Sequence, residues 1–269
     1  MVHIFPFAKA RHLMMSIAAG SCSVLASRLC AAAVAAVGLF CSAAIAQVSS
    51  DVIKIGVLTD LSGVVSDPTG EGSVAAAEIA AQELGNSVLG KRIEVISAVH
   101  QHKADIGAAI ARRWYDVENV DVIVDVPNSS VALAVQAIAR ERKKVLLVSS
   151  AGTTAVSDAQ CSPYGIQWTF TTYAMARGTA SAVVKAGSKS WYTIASDYAF
   201  GRQLAKDTEA IVTANGGRML GAVYHPLNSS DFASYLLQAQ SSGAGIIAVA
   251  NAGGDTINTI KQATEFGIG

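Results

Sequence analysis

From Asp51 onward the chain alternates short β-rich runs with helical stretches, and no other feature restricts its fold as much. Strands joined this way cannot pair as hairpins, so the pattern predicts parallel sheets covered by helices, an α/β fold. The predicted strands of the first half are Ile53–Leu58, Arg92–Ala98, Val122–Asp125, Val145–Val148 and Ile166–Phe170. Between them, helices are predicted from about Ser73 to Leu84, from Asp105 to Tyr115 and from the Pro127–Ser130 turn to Arg142. The grammar restarts after Tyr173, with strands at Ser190–Ala195, Met219–Tyr224 and Ile246–Val249. The helices of this half run to Ala186, from Tyr198 to Asn215, from Ser230 to Ser242 and from Asp255. Two such arrays predict two lobes with a cleft between them, residues 51–172 and 173–269.

The first 46 residues read differently. Lys9, Arg11 and Arg28 precede the apolar run Leu29–Phe40, which is too short to span a bilayer. Small residues follow as far as Ala44-Ile45-Ala46, an A-x-A cleavage pattern, so residues 1–46 are expected to be an export signal removed after Ala46. Cys22, Cys30 and Cys41 leave with it, and Cys161 is then the one thiol in the mature chain. Stability is therefore expected from a hydrophobic core, not from a disulfide. The composition is 51% hydrophobic and 15% charged with zero net charge, which argues against disorder and against a nucleic-acid partner. The second array has only three strands before Gly269, so a further C-terminal portion is expected to complete both lobes.

Ligands of open parallel sheets bind beyond the carboxyl ends of the strands. Three loops at such positions are rich in glycine and small hydroxyl residues: Asn128-Ser129-Ser130, Ser149–Thr154 and Asn251–Asp255. Hydroxyls and free N–H groups at helix starts suit a carboxylate. Helix capping by Ser129 and Asp255 is the competing reading. Tyr198 and Phe200, where a strand of the second array becomes a helix, can supply an aromatic wall; Trp168, Phe170 and Tyr173 on the crossover read as packing residues. Enzyme signals are weak. Gly70-Glu71-Gly72-Ser73-Val74-Ala75 fits a loose dinucleotide fingerprint but stands too far from its strand, and no acidic residue ends the second strand. His100 and His102 lack an acid–histidine constellation, with Asp105 read as a helix cap, so no metal is expected. No G-x-S-x-G elbow occurs, His225 precedes Pro226 in a predicted loop, and Cys161 has no visible activating partner.

The stretches Ile55–Gly63, Asp125–Ala132, Asp197–Gly201 and Asn251–Thr256, in that order, resemble the type I periplasmic solute-binding proteins of ABC importers, specifically the Leu/Ile/Val-binding group. Trp168–Tyr173 is most similar to the subgroup associated with aromatic and other organic acids. The resemblance implies two Rossmann-like lobes that close on a ligand and present it to permease subunits in the membrane. It also implies a site at Asn128, Ser129, Ser130, Ser150, Ala151 and Thr153 on the first lobe, with Tyr198, Phe200, Ala252 and Gly253 on the second.

The expectation is a monomeric, periplasmic, non-catalytic protein without cofactor that captures a small carboxylate-bearing solute, a branched-chain amino acid, an amide or an aromatic acid. A ligand-sensing receptor domain of the same fold and an exported α/β enzyme are the alternatives.

Overall fold

A computed structural model describes residues 51–268. The expected export signal and Gly269 lie outside the described residues. The first sheet has six strands: β1 (Val52–Thr59), β2 (Ser87–Val88), β3 (Lys91–Val99), β4 (Val122–Asp125), β5 (Val145–Val148) and β6 (Gly165–Gln167). Their order is β2-β3-β1-β4-β5-β6. All neighbours are parallel except β2, which pairs antiparallel with β3. Strand β1 is the hub, since Val57 stands opposite Ser97 on one side and Val124 on the other. Helices α1 (Gly70–Glu83), α2 (Ala104–Asp116) and α3 (Ser129–Arg142) make the connections, and a 3-10 turn covers Thr154–Val156.

The alternation gave no hint of the β2–β3 hairpin. Its two-residue turn is Leu89-Gly90, both at positive φ (53° and 74°), the backbone that matches strand twist in tight hairpins. Leucine is a rare occupant of that position, so the usual Asn-Gly or Gly-Gly marker is missing.

One continuous core fills the first lobe. Trp114, Leu58, Ile123 and Leu146 are fully buried within it, each worth about 1.5–3 kcal/mol of apolar burial. Gly56 of β1 is part of this packing, because a Cβ there would stand 2.5 Å from the Trp114 ring. The indole can pack this close to the strand only because that position carries no side chain.

The second sheet comprises β7 (Ser190–Ser196), β8 (Arg218–His225) and β9 (Ile246–Ala250) in the order β8-β7-β9, all parallel. Helices α4 (Thr172–Lys185), α5 (Ala199–Ala214), α6 (Ala233–Ser241) and α7 (Gly253–Glu265) surround it. The predicted α/β architecture is present, with most element ends shifted by one to three residues. The Ile166–Phe170 run is strand only to Gln167. His225 ends β8 fully buried and is not in a loop. None of the described helices is long and apolar enough to cross a membrane.

In both sheets the chain leaves the central strand, adds a neighbour on one side and then returns to the other. This reversal opens a crevice at the carboxyl ends of β1 and β4 in the first lobe and of β7 and β9 in the second. The two crevices face each other.

Candidate functional site

Between the crevices lies a cavity of about 330 Å³. Val65 and Thr69 after β1, Pro127 after β4, and Ser149, Ser150 and Gly152 after β5 line it from the first lobe. Phe170 comes from the crossover, and Tyr198, Phe200, Ala252 and Gly253 from the second lobe. The volume suits a solute of one ring or a short branched chain.

Glycine 152 decides how the aromatic wall is built. A Cβ on it would lie 2.6 Å from Phe170 Cε2 and 3.1 Å from Phe200 Cε2, so both rings close over a bare main chain. Phe200 is 5% exposed and also joins the second-lobe core with Leu204 and Ala205. Packing and lining are here the same role. Phe170, read from sequence as a packing residue, is 53% exposed and faces the cavity, while Trp168 is 79% exposed. The sequence reading placed Ser149 and Gly152 in the candidate Ser149–Thr154 loop without carrying them into the site, and it passed over Val65, Thr69 and Pro127, of which Pro127 stands close behind a strand end.

Several expected first-lobe contacts serve other partners. Asn128 is the N-cap of α3, its Oδ1 accepting from the Ser130 and Val131 amides, while its Nδ2 faces His102 Nδ1 at 3.2 Å. Thr153 caps the 3-10 turn at 1% exposure. Ser129, the first residue of α3 and not its cap, accepts from the Thr153 amide. Ala151 is fully buried in the core. Of the six first-lobe residues carried over by resemblance, Ser150 is the one on the cavity wall. Ser130 instead bridges the lobes, its Oγ accepting from the Ala199 amide at the start of α5 (3.2 Å). Two further bonds span the same gap, Gly254 N to Val64 O (3.2 Å) and Thr154 Oγ1 to Asp207 Oδ2 (3.3 Å).

The second-lobe wall carries two helix starts. Tyr198 caps α5 and Ala252 caps α7, and neither N-cap has a side-chain hydrogen bond to its helix. The first turn of α5 holds no acid, and the Phe200 and Gly201 amides have no hydrogen-bond partner among the described residues. Unpaired N–H groups and the helix dipole make that end favourable to an anion. Asp255 does not cap α7. It lies in the first turn with its carboxylate accepting from the Asn228 amide. Burial raises its pKa, against the opposing pull of the Asn228 and Ser229 amides and of His225 and His102. Tyr198 is likewise shifted upward, by burial first and by the charge of Asp255 second.

Below the cavity, His102 Nε2 and Asp60 Oδ2 are 2.7 Å apart, and Asp60 also accepts from the Gly63 and Val65 amides. Burial would raise the Asp60 pKa, but these bonds outweigh it and the carboxyl lies below its ordinary value. The pair thus holds the Ser62–Ser66 loop that reaches the second lobe through Val64. His100, fully buried, accepts from the His102 amide, and burial lowers its pKa to about 4, with the neighbouring His102 adding to the shift. Among the described residues, no group of three or more His, Cys, Asp or Glu side chains gathers as a metal site would require. Asp105 lies in the first turn of α2 and is not its N-cap, which is Lys103.

The chain is similar to several known proteins. Residues 52–269 match the family described as periplasmic binding protein. A Leu/Ile/Val-binding protein homolog 6 of Brucella melitensis is 27% identical over 88% of this chain and 60% of its own length. A crystal structure of a Burkholderia mallei periplasmic binding protein is 50% identical, with a TM-score of 0.80 over 81% of this chain and 58% of that one. A Rhodopseudomonas palustris solute-binding protein of an ABC transporter, solved in complex with 3,4-dihydroxybenzoic acid, is 26% identical, with a TM-score of 0.72 over 81% of this chain and 60% of that one. The chain thus spans about 60% of the length of the relatives it matches. With its paired crevices and matched family, the chain belongs to the periplasmic binding protein family.

Proposed function

We propose that the protein is the substrate-binding component of an ABC importer, holding a small carboxylate-bearing solute between its lobes for delivery to a membrane permease. The observation that carries this reading is the cavity itself. Phenyl rings from the crossover and the second lobe converge on Gly152, and Tyr198 and Phe200 bring the start of α5, with its favourable dipole end, to the cavity wall. The apolar part of the solute would sit against Phe170 and Phe200, its carboxylate toward Phe200 and Gly201. Tyr198, Ala252 and Gly253 complete that wall, and Ser130 joins the lobes once they close. No residue is assigned a catalytic role. The relatives' ligands and names favour aromatic acids or branched-chain amino acids as the solute class, and the family points to the periplasm as the place of work.

A thermal-shift screen followed by calorimetry tests the reading. Benzoates, leucine-type amino acids and short aliphatic acids are the probes; a genuine ligand at 100 times its Kd raises stability by about 2.7 kcal/mol. Flat melting curves across all three classes would defeat the proposal.

A further inference from the structure

His102 does not line the cavity, yet the backbone is bent to deliver it. Gln101 and His102 both lie in the left-handed region, at φ 52° and 56°, and neither is a glycine. Such conformations persist only where the surroundings hold them, and they gather where a side chain has to be placed. Here the His102 amide donates to Nδ1 of the fully buried His100 at 3.0 Å, which fixes the turn.

Each ring nitrogen of His102 has a partner, and the partners settle which nitrogen carries the hydrogen. Asn128 Oδ1 already accepts from the Ser130 and Val131 amides, at 2.9 and 3.1 Å, so the side chain cannot be turned round. What faces His102 Nδ1 is therefore Asn128 Nδ2, which only donates. Nδ1 accepts, and the hydrogen sits on Nε2, which gives it to Asp60 Oδ2. The fit leaves no room to spare: a Cβ on Gly63 would lie 2.6 Å from both His102 Nε2 and Asp60 Oδ2.

The two partners lead to different places. Asp60 accepts from the Gly63 and Val65 amides and so sets the loop whose Val64 carbonyl receives the Gly254 amide of the second lobe. Asn128 caps α3 and sets Ser130, whose Oγ receives the Ala199 amide. One imidazole thus lies between two points at which the second lobe is met. The remaining bond described across the gap, Thr154 Oγ1 to Asp207 Oδ2, runs through neither partner.

We propose that His102 is a positioning residue for lobe closure: by tying Asp60 to Asn128 it holds the Val64 and Ser130 contacts in register, so that the second lobe docks on both at once. This deepens the binding reading and rests on it. Closure depends on contacts that are better in the closed state, and a lobe that meets one contact out of place gains less by closing. The effect of His102 on a bound solute is then felt in how long it is held, without any contact to it.

Solution scattering and imidazole nitrogen NMR on the full chain test this with no ligand required. The native protein should carry the His102 hydrogen on Nε2 and leave Nδ1 bare. Asn128→Ser keeps a good helix cap but is too short to reach the ring, so it cuts the tie and little else. Its melting temperature should stay within about 3 °C of native, while its radius of gyration rises. His102→Ala should open the lobes at least as far. With benzoate and leucine as probes, whichever binds should leave both variants ~5-fold faster, the scale of one weakened hydrogen bond. A hydrogen on Nδ1 in the native protein would overturn the inference. So would a native radius of gyration in folded Asn128→Ser, which keeps the test open if His102→Ala does not fold; a His102 that merely supports the fold would lower melting temperature and leave scattering unmoved. If neither probe binds, the capture reading is what weakens, and scattering and NMR still decide the role of His102.

Discussion

Strand β4 of the first lobe runs between two neighbours and buries Ile123 completely, whereas β9 of the second pairs with β7 alone among the described strands, and four of its five residues stay partly exposed. The cores follow the sheets. In the first lobe one cluster reaches from Leu58 and Trp114 to Val156; in the second, three smaller clusters form around Phe200, Phe232 and Trp191. Local stability tracks buried apolar contact, so among the described residues the cluster around Trp114 is expected to open less readily than the cluster around Trp191. The cleft inherits this division. Its first-lobe wall is a set of polar groups already tied to one another, and its second-lobe wall is rings and helix starts.

The comparison fails most visibly if equivalent indoles prove equally important. Trp114→Ala removes a fully packed ring from the continuous core and should cost about 4 kcal/mol in urea unfolding. Trp191→Ala, in a small cluster beside the partly exposed β9, can relax and should cost about 2 kcal/mol. Equal losses would erase the distinction. Next is acid. His100 is held neutral with a pKa of about 4, while the unfolded chain protonates near the ordinary 6.5. Its contribution is complete above pH 6.5 and is lost as pH falls toward 4, about 3 kcal/mol in all, and unfolding measured across that window should show the slope. The Asp60 carboxyl is also shifted down, but in a more acid window: its contribution holds above its ordinary value of 3.8 and fades as pH falls through its lower folded value. Replacing His100 by Leu should flatten the first window and leave the second. Asn128→Ala removes the α3 cap and should cost about 1 kcal/mol. Ser130→Ala is the smallest in stability, within about 0.5 kcal/mol. It should still shift solution scattering toward a more open form, since its Oγ accepts from the second lobe.

The sequence revealed the sheets more clearly than the wall of the cavity. Alternation alone located eight of the strands, because buried parallel strands leave apolar runs such as Val145–Val148 that tolerate few other readings. The ninth, β2, escaped because its turn uses leucine where glycine or asparagine is the usual marker. Loop residues were harder. Asn128, Thr153 and Ser150 share small polar side chains, yet one caps a helix, one caps a 3-10 turn and one faces the cavity with its hydrogen directed at Asp125. Composition cannot separate such fates, since each is decided by a partner far away in sequence. Phe170 was misread for the same reason: the crossover between lobes presents it to a glycine whose importance appears only in three dimensions.

Gly253 has a consequence for motion. It sits at φ 53°, and a Cβ on it would run into the Val64 carbonyl of the opposite lobe. The lobes therefore meet at this point main chain against main chain, with nothing in between. Any other residue at 253 would act as a doorstop, and the narrowest gap the cleft can reach is set by a single carbon atom that this chain omits.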